Sequence, residues 1–311
     1  MAETAATTMT DAQFRLLCDV VRAHAGLHFD EGTRYLVEKR VARRMQAVGA
    51  TSLSAYLWSL RSPGPGSEEL VALVDELTTN ETYFFREIRQ LRALVDEIVP
   101  ERLVAGGARR GRGPVQIWSA GCASGEEPYS IVMLALEAGL VPGRDLHVYA
   151  SDIAPSVLTK ARRGHYRPAS FRETPDPLRD KYFVEKDGLF RIRDEVRACV
   201  DFIHLNLLDP SKIALLGAMD VILCRNVIIY FDAATKKRVI DTFYERLVPG
   251  GYLLLGHSES LITVSTAFEL CHLRSDLVYR RPIPGEERDD PWHRIAAHAA
   301  AAVDGGPEGG R

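Results

Sequence analysis

The sequence predicts an α/β protein: a doubly wound, mostly parallel sheet carrying a small β insertion and preceded by an all-helical domain. Three observations carry this. From residue 11 to about residue 77, apolar side chains recur at three- and four-residue spacing. From Val115 onward, short apolar runs bounded by turns alternate with helical stretches, which is the pattern of βαβ units. Between about 166 and 200 that alternation is broken by two strand-like runs around Lys186-Asp187-Gly188, a hairpin turn signal.

In the first domain, taken as residues 1–77, Phe14, Leu17, Cys18 and Val21 mark a helix from Asp11 to Ala25, ended by Gly26. Asp30 to Thr33 open a second helix with the stripe Val37, Val41, Met45 and Val48, and Gly49 closes it. Thr51 to Arg61 form a third, Ser62-Pro63-Gly64-Pro65-Gly66 a break, and Ser67 starts a fourth. Residues 78–114 read as a linker, a helix from about Glu87 to Leu103, and a Gly/Arg-rich loop. The main domain, 115–281, has strands Val115–Ser119, His147–Ser151, Val200–Asn206, Val221–Cys224 and Tyr252–Gly256, with helices starting at Pro128, Pro155 and Ala233. Phe183-Val184 and Leu189–Arg193 make the hairpin of the β insertion. The stretch 282–311 is rich in Pro, Gly, Glu and Ala; Asp290-Pro291 caps at most a short helix to Ala302, and the tail is expected to be poorly ordered.

The 311 residues are 46% hydrophobic and 26% charged, with formal net charge −3, the balance of a soluble globular protein and not of a general nucleic-acid binder. Five scattered cysteines without a CxxC pair argue against a disulfide framework or a zinc site, so no metal is expected. Residues 1–10 lack the features of a signal peptide, and no apolar run is long enough to span a bilayer. A cytoplasmic location without membrane insertion follows as the expectation.

The strongest local signal is Ile117-Trp118-Ser119-Ala120-Gly121-Cys122-Ala123-Ser124-Gly125-Glu126-Glu127-Pro128, a strand running through a small-residue turn into a helix. Gly121 and Gly125 allow close approach of a ligand to backbone. Three residues separate these glycines, so this is not a dinucleotide GxGxxG, and two glutamates at the helix entry would repel a pyrophosphate. They suit a ligand bearing an ammonium and a sulfonium, which is S-adenosylmethionine; a plain turn with dipole-favoured glutamates is the competing reading. Asp152, 27 positions after Gly125 at the end of the second strand, is placed to accept from ribose hydroxyls or to cap the helix that follows. Asn206 and Leu207 at the third strand's end suit the edge and face of an adenine, or form a simple turn. Arg225, Asn226 and Tyr230 follow the fourth strand at the same edge of the sheet.

With Asn80-Glu81-Thr82-Tyr83-Phe84-Phe85-Arg86, Gly121–Tyr129, Cys224–Asp232 and Gly256-His257-Ser258-Glu259-Ser260-Leu261, the chain resembles the chemotaxis receptor glutamate methyltransferases, the CheR family, from about residue 11 to 281. The resemblance implies a Rossmann-like class I S-adenosylmethionine-dependent methyltransferase sheet, with S-adenosylhomocysteine as product. It implies that Asn80, Thr82 and Arg86 belong to a linker motif touching the cofactor. Glu127 would meet its methionyl part, Asp152 its ribose, and Asn206, Leu207, Arg225 and Asn226 its adenosyl group. Arg86 and Tyr230 would face the transferred methyl and the incoming carboxylate. The partners implied are methyl-accepting chemotaxis receptors, whose cytoplasmic helical bundle would dock on the second helix through Arg40, Arg43 and Arg44. A solvated basic face explains the same arginines. Members that tether to a receptor's C-terminal pentapeptide carry a longer hairpin loop than Glu185-Lys186-Asp187-Gly188, so direct recognition is expected. The rival readings are a methyltransferase with an RNA or small-molecule acceptor, and an S-adenosylmethionine sensor or scaffold without turnover.

Overall fold

The computed structural model describes residues 8–62, 65–107, 113–274 and 276–286. Four helices come first: α1 (Asp11–Ala25), α2 (Arg34–Ala47), α3 (Leu53–Ser59) and α4 (Pro65–Leu77). Thr10 and Gln13 close a capping box on α1, and Gly26 ends it in the left-handed region, where an L residue would be strained. The next helical segment is continuous but not uniform. It runs from α5 (Ile88–Ala93) through a π-helical stretch, Leu94–Ile98, into α6 (Val99–Gly107), where the sequence suggested a single regular helix.

The α/β part follows as β1 (Val115–Ala120), α7 (Glu126–Glu137), β2 (Leu146–Asp152) and α8 (Pro155–Arg163). The insertion comprises β3 (His165–Tyr166), α9 (Asp176–Tyr182), β4 (Phe183–Lys186) and β5 (Leu189–Ile192), and the single-turn helix α10 (Asp194–Arg197) leads out of it. Then come β6 (Val200–His204), the short α11 (Pro210–Ile213), β7 (Met219–Cys224), α12 (Ala233–Arg246), β8 (Leu247–Leu255), β9 (Glu269–His272) and β10 (Leu277–Arg280). Asp187 and Gly188 both take positive φ in the β4–β5 turn, as a type I′ hairpin requires. The antiparallel pair β9–β10 was not anticipated: Leu277 is exposed and neighbouring charges hide the strand alternation. The tail helix suggested from Asp290 lies outside the described residues.

The seven-stranded sheet has the order β6-β2-β1-β7-β8-β10-β9, parallel except for β10 against its two neighbours. The chain moves outward from β1 to β2 and then returns to β7 on the other side of β1. The order therefore reverses between β1 and β7, opening a crevice at the carboxyl ends of these strands. Alternation along the central strands divides the interior. Trp118, Ile222, Leu253 and Leu255 join a core shared with α12 and with Phe14, Leu17, Val41 and Leu73 of the N-terminal helices. Ile117, Val221, Leu223 and Leu254 face Tyr129, Leu94 and Ile98, and that core continues into the insertion through Phe84, Tyr166 and Phe183.

Candidate active site at the switch point

Four strand ends and the linker converge on one cavity of about 220 Å³, walled on the far side by α1, α2 and the segment between them. Its lining includes Asn80, Thr82, Arg86, Gly121, Glu127, Asp152, Asn206, Leu207, Arg225, Asn226 and Tyr230. Residues separated by as many as 150 positions meet because each follows the carboxyl end of a parallel strand or belongs to the linker crossing above it. The described residues include Phe85, Glu87, Ala123 and Asn226 with positive φ although none is glycine, and these four residues surround or adjoin the cavity. Such conformations persist only where the surroundings impose them.

The turn after β1 is shaped by close approach. A Cβ on Gly121, at φ +82°, would lie 2.4 Å from Val227 Cγ2, so only glycine lets the β1 and β7 loops touch here. Asp152 accepts from the Ala123 and Ala154 amides, both at 2.9 Å, tying the β1 turn to the β2 end. Burial, the largest influence, raises its carboxyl above the ordinary value despite those bonds. Asp152 thus supports the local turn before α8, whose N-cap is Ala154 with no side-chain cap, while lining the cavity.

The two glutamates at the start of α7 part company. Glu127 lines the cavity, accepting from Ser119 Oγ at 2.7 Å and from Arg225 Nη1 at 2.9 Å. Glu126 turns the other way and accepts from Ser124 Oγ and Ser170 Oγ, so only one of the pair is available to a ligand. Burial raises the Glu126 carboxyl. A buried acid with a raised pKa is destabilising once ionised, so stability is lost as pH rises through that value. Glu126→Gln is therefore expected to raise the melting temperature at pH 8 and to leave it unchanged near pH 4, where both side chains are neutral. Cofactor affinity should not move; a variant less stable than wild type at pH 8 refutes the assignment.

Arg225 is 2% exposed and holds three partners: Glu127, Glu87 Oε2 at 2.9 Å and the Arg86 carbonyl at 2.8 Å. Burial works against its charge, but Glu127 and Glu87 more than offset that and lift its pKa. Its Nε is buried without a hydrogen-bond partner among the described residues. Arg86 itself is half-buried at the cavity, donating to the Glu81 carbonyl at 3.1 Å. Asn80 donates to Thr78 Oγ1 within the linker. Tyr230 ends a 3-10 turn, Ile228–Tyr230, whose backbone pairs with the segment after α1: His28 N donates to Tyr230 O at 2.8 Å. The Tyr230 hydroxyl makes no hydrogen bond among the described residues.

Two sets of expected site residues also hold partners within the protein. Asn206 lines the cavity, but its amide donates to the His24 carbonyl at 2.6 Å and accepts from Leu208 N at 2.9 Å. It pins the end of α1 to the sheet, so much of its capacity toward an adenine edge is already committed. Of the basic triad, only Arg40 reaches the cavity lining, and its guanidinium donates to the Leu77 carbonyl at 2.6 Å, closing the end of α4. Arg44 pairs with Glu69 at 2.6 Å and Arg43 with Glu76 at 2.9 Å. The triad binds α2 to α4; Arg43, about half exposed, is the most open of the three, while Arg40 and Arg44 are partly covered.

Sequence reasoning missed Ser119, Glu87 and Glu259. Glu259 accepts from the Asn226, Val227 and Gly256 amides at 2.7–2.9 Å and so holds the loop that carries Tyr230. Glu259 lay within a quoted motif and Glu87 directly after one, beside residues that drew more notice. The N-terminal wall, Leu27 and Phe29 between α1 and α2 and Val37 of α2, carried no sequence signal because apolar residues in a helical domain read as core.

S-adenosylmethionine fits what this cavity offers. Two carboxylates face one guanidinium at the Glu127 end, an acid sits at the β2 end, a glycine cradle lies between them, and a buried donor lacks an acceptor among the described residues. Among the described residues no cluster of His, Cys, Asp or Glu could hold a metal. Fold and site together define an S-adenosylmethionine-dependent methyltransferase. Residues 80–277 match the model of the CheR methyltransferase S-adenosylmethionine-binding domain, and residues 12–78 that family's all-alpha domain. Among similar proteins, the Vibrio cholerae chemotaxis protein methyltransferase 2 is 39% identical over 89% of this chain and 96% of its own. The Escherichia coli chemotaxis protein methyltransferase is 39% identical over 87% and 91%, and Pseudomonas aeruginosa chemotaxis protein methyltransferase 1 is 33% identical over 87% and 98%. The chain belongs to the CheR methyltransferase family.

Proposed function

We propose that the chain esterifies glutamate side chains of chemotaxis receptors with the methyl group of S-adenosylmethionine. The observation that carries this is the meeting of Arg86 and Tyr230 with Glu127 and Asp152 on one cavity. When bound, S-adenosylmethionine supplies a methyl group made electrophilic by its sulfonium. An acceptor glutamate is already ionised at neutral pH, so the protein need not provide a base. What remains for it is to position the carboxylate and to exclude water. The Arg86 guanidinium holds the carboxylate and the Tyr230 hydroxyl orients it. Neither grips it tightly, because stabilising the ionised ground state would raise the barrier to a charge-neutralising transfer.

Glu127 serves the methionyl end of the cofactor, Asp152 its ribose, and Asn80, Thr82, Leu207, Asn226 and the remaining capacity of Asn206 the rest. Receptor docking falls to the outer face of α2, on which Tyr35, Lys39 and Arg43 recur every four residues and are exposed. Arg40 and Arg44 hold that helix in place. The acidic part of a receptor's cytoplasmic helical bundle complements Lys39 and Arg43, and a cytoplasmic location belongs to the same reading. No helix among the described residues is long and apolar enough to cross a membrane. The two-residue hairpin turn of the insertion favours direct recognition without a pentapeptide tether. Transfer from labelled S-adenosylmethionine to receptor-containing membranes, followed by mild alkali, tests the reading. Label on the receptor that leaves as methanol supports a methyl ester; cofactor binding without such label, across several receptors, overturns it.

A further inference from the structure

The charge balance beneath the cavity is uneven. One guanidinium, Arg225, stands between two carboxylates, each with an oxygen 2.9 Å from it. Only Glu127 lines the cavity; Glu87 lies behind Arg225, 16% exposed. Among the described residues the other basic side chain near Glu87 is His257, whose Nδ1 lies 4.0 Å away on a more than half exposed ring. Glu87 takes up this position with φ +52°, a conformation unfavourable for a residue with a Cβ, directly after Arg86. The same turn presents the Arg86 carbonyl to Arg225 at 2.8 Å.

We propose that Glu87 is a positioning residue that acts as a reserve counter-ion for Arg225, keeping Glu127 available to the ammonium at the methionyl end of the cofactor. The proposal rests on the reading that the cavity binds S-adenosylmethionine. With Glu127 alone opposite it, Arg225 would form a closed buried pair. An ammonium taking the Glu127 carboxylate would then leave a buried guanidinium without a full counter-charge, which is strongly unfavourable. With Glu87 in place, Arg225 keeps a carboxylate and a carbonyl while Glu127 shifts its bonding to the ligand. The surplus negative charge at this end also attracts a cationic group.

The ligand group concerned is the amino acid part alone, so the test uses two adenosyl probes that differ there. S-adenosylhomocysteine carries the ammonium; 5′-methylthioadenosine has the nucleoside and the sulfur but no amino acid. Calorimetric titration of the full chain with each probe is done for wild type, Glu87→Gln and Glu87→Asp, with thermal unfolding to verify the fold. The expected result for Glu87→Gln is about a tenfold loss for S-adenosylhomocysteine, roughly the effect of one weakened charged contact, with 5′-methylthioadenosine changed by less than about twofold. Glu87→Asp, which keeps the charge, should recover most of that loss. Equal losses for both probes would mean a structural role only and would overturn the proposal, as would no loss for either. Asp and Gln variants equally weak would overturn it too. If wild type binds neither probe, the cavity reading fails, and the proposal with it; a wild type that binds both separates the two failures.

Discussion

Tyr230→Phe is expected to lower the rate of methyl transfer at saturating substrate by about 10- to 100-fold, the worth of one hydrogen bond to a charged group. Cofactor affinity should stay within about twofold by titration calorimetry, since the ring remains to wall the cavity and only the oxygen is lost. The asymmetry follows from the geometry. The hydroxyl bonds to nothing among the described residues, whereas its backbone is fixed twice. His28 N donates to Tyr230 O, and Glu259 grips the amides at the start of the same loop. Removing the oxygen therefore costs the fold little. Equal losses in rate and in cofactor binding would remove Tyr230 from the reaction.

Arg225→Met is expected to destabilise the fold by about 3–5 kcal/mol, because it deletes the shared cation and leaves two carboxylates facing each other in a desolvated space. Urea unfolding measures it directly. A loss below about 1 kcal/mol would mean that Glu87 and Glu127 relax into solvent and that the network is not a structural element. The effect should greatly exceed that of Arg43→Met, since Arg43 and Glu76 form a partly exposed pair on the α2–α4 surface, where such bridges contribute little.

The architecture was largely legible because parallel strands buried on both faces produce short, continuous apolar runs, as in β1 and β7. Strand ends near a Gly-rich turn then point to one edge of the sheet. The edge pair β9–β10 escaped because its residues are only partly covered and lack that signature. Within the site, residue type and spacing brought Glu127, Asp152, Arg225 and Tyr230 together. They did not say which way Glu126 would turn, since adjacent residues on a helix lie about 100° apart and either could have faced the ligand. Nor did they reveal that Arg40, Arg43 and Arg44 have partners on α4, because those partners, Leu77 O, Glu76 and Glu69, lie 25 to 37 positions away in sequence. The Glu87–Arg225 contact spans 138 positions and leaves no local trace at all.

The core shared between the N-terminal helices and the α12 face of the sheet bears on how such proteins can be recombined. Two matched domains in the sequence look like exchangeable cassettes. Yet Gly26 lies so near Thr235 of α12 that a Cβ there would come within 2.6 Å of its methyl group, and Leu27 bridges to Phe231. A chimera that takes its helical half from a relative must inherit the matching surface of α12 and the Asn206 loop as well. The true joint of the molecule therefore lies on a packing surface assembled from both halves, and a cut at residue 78 would sever it.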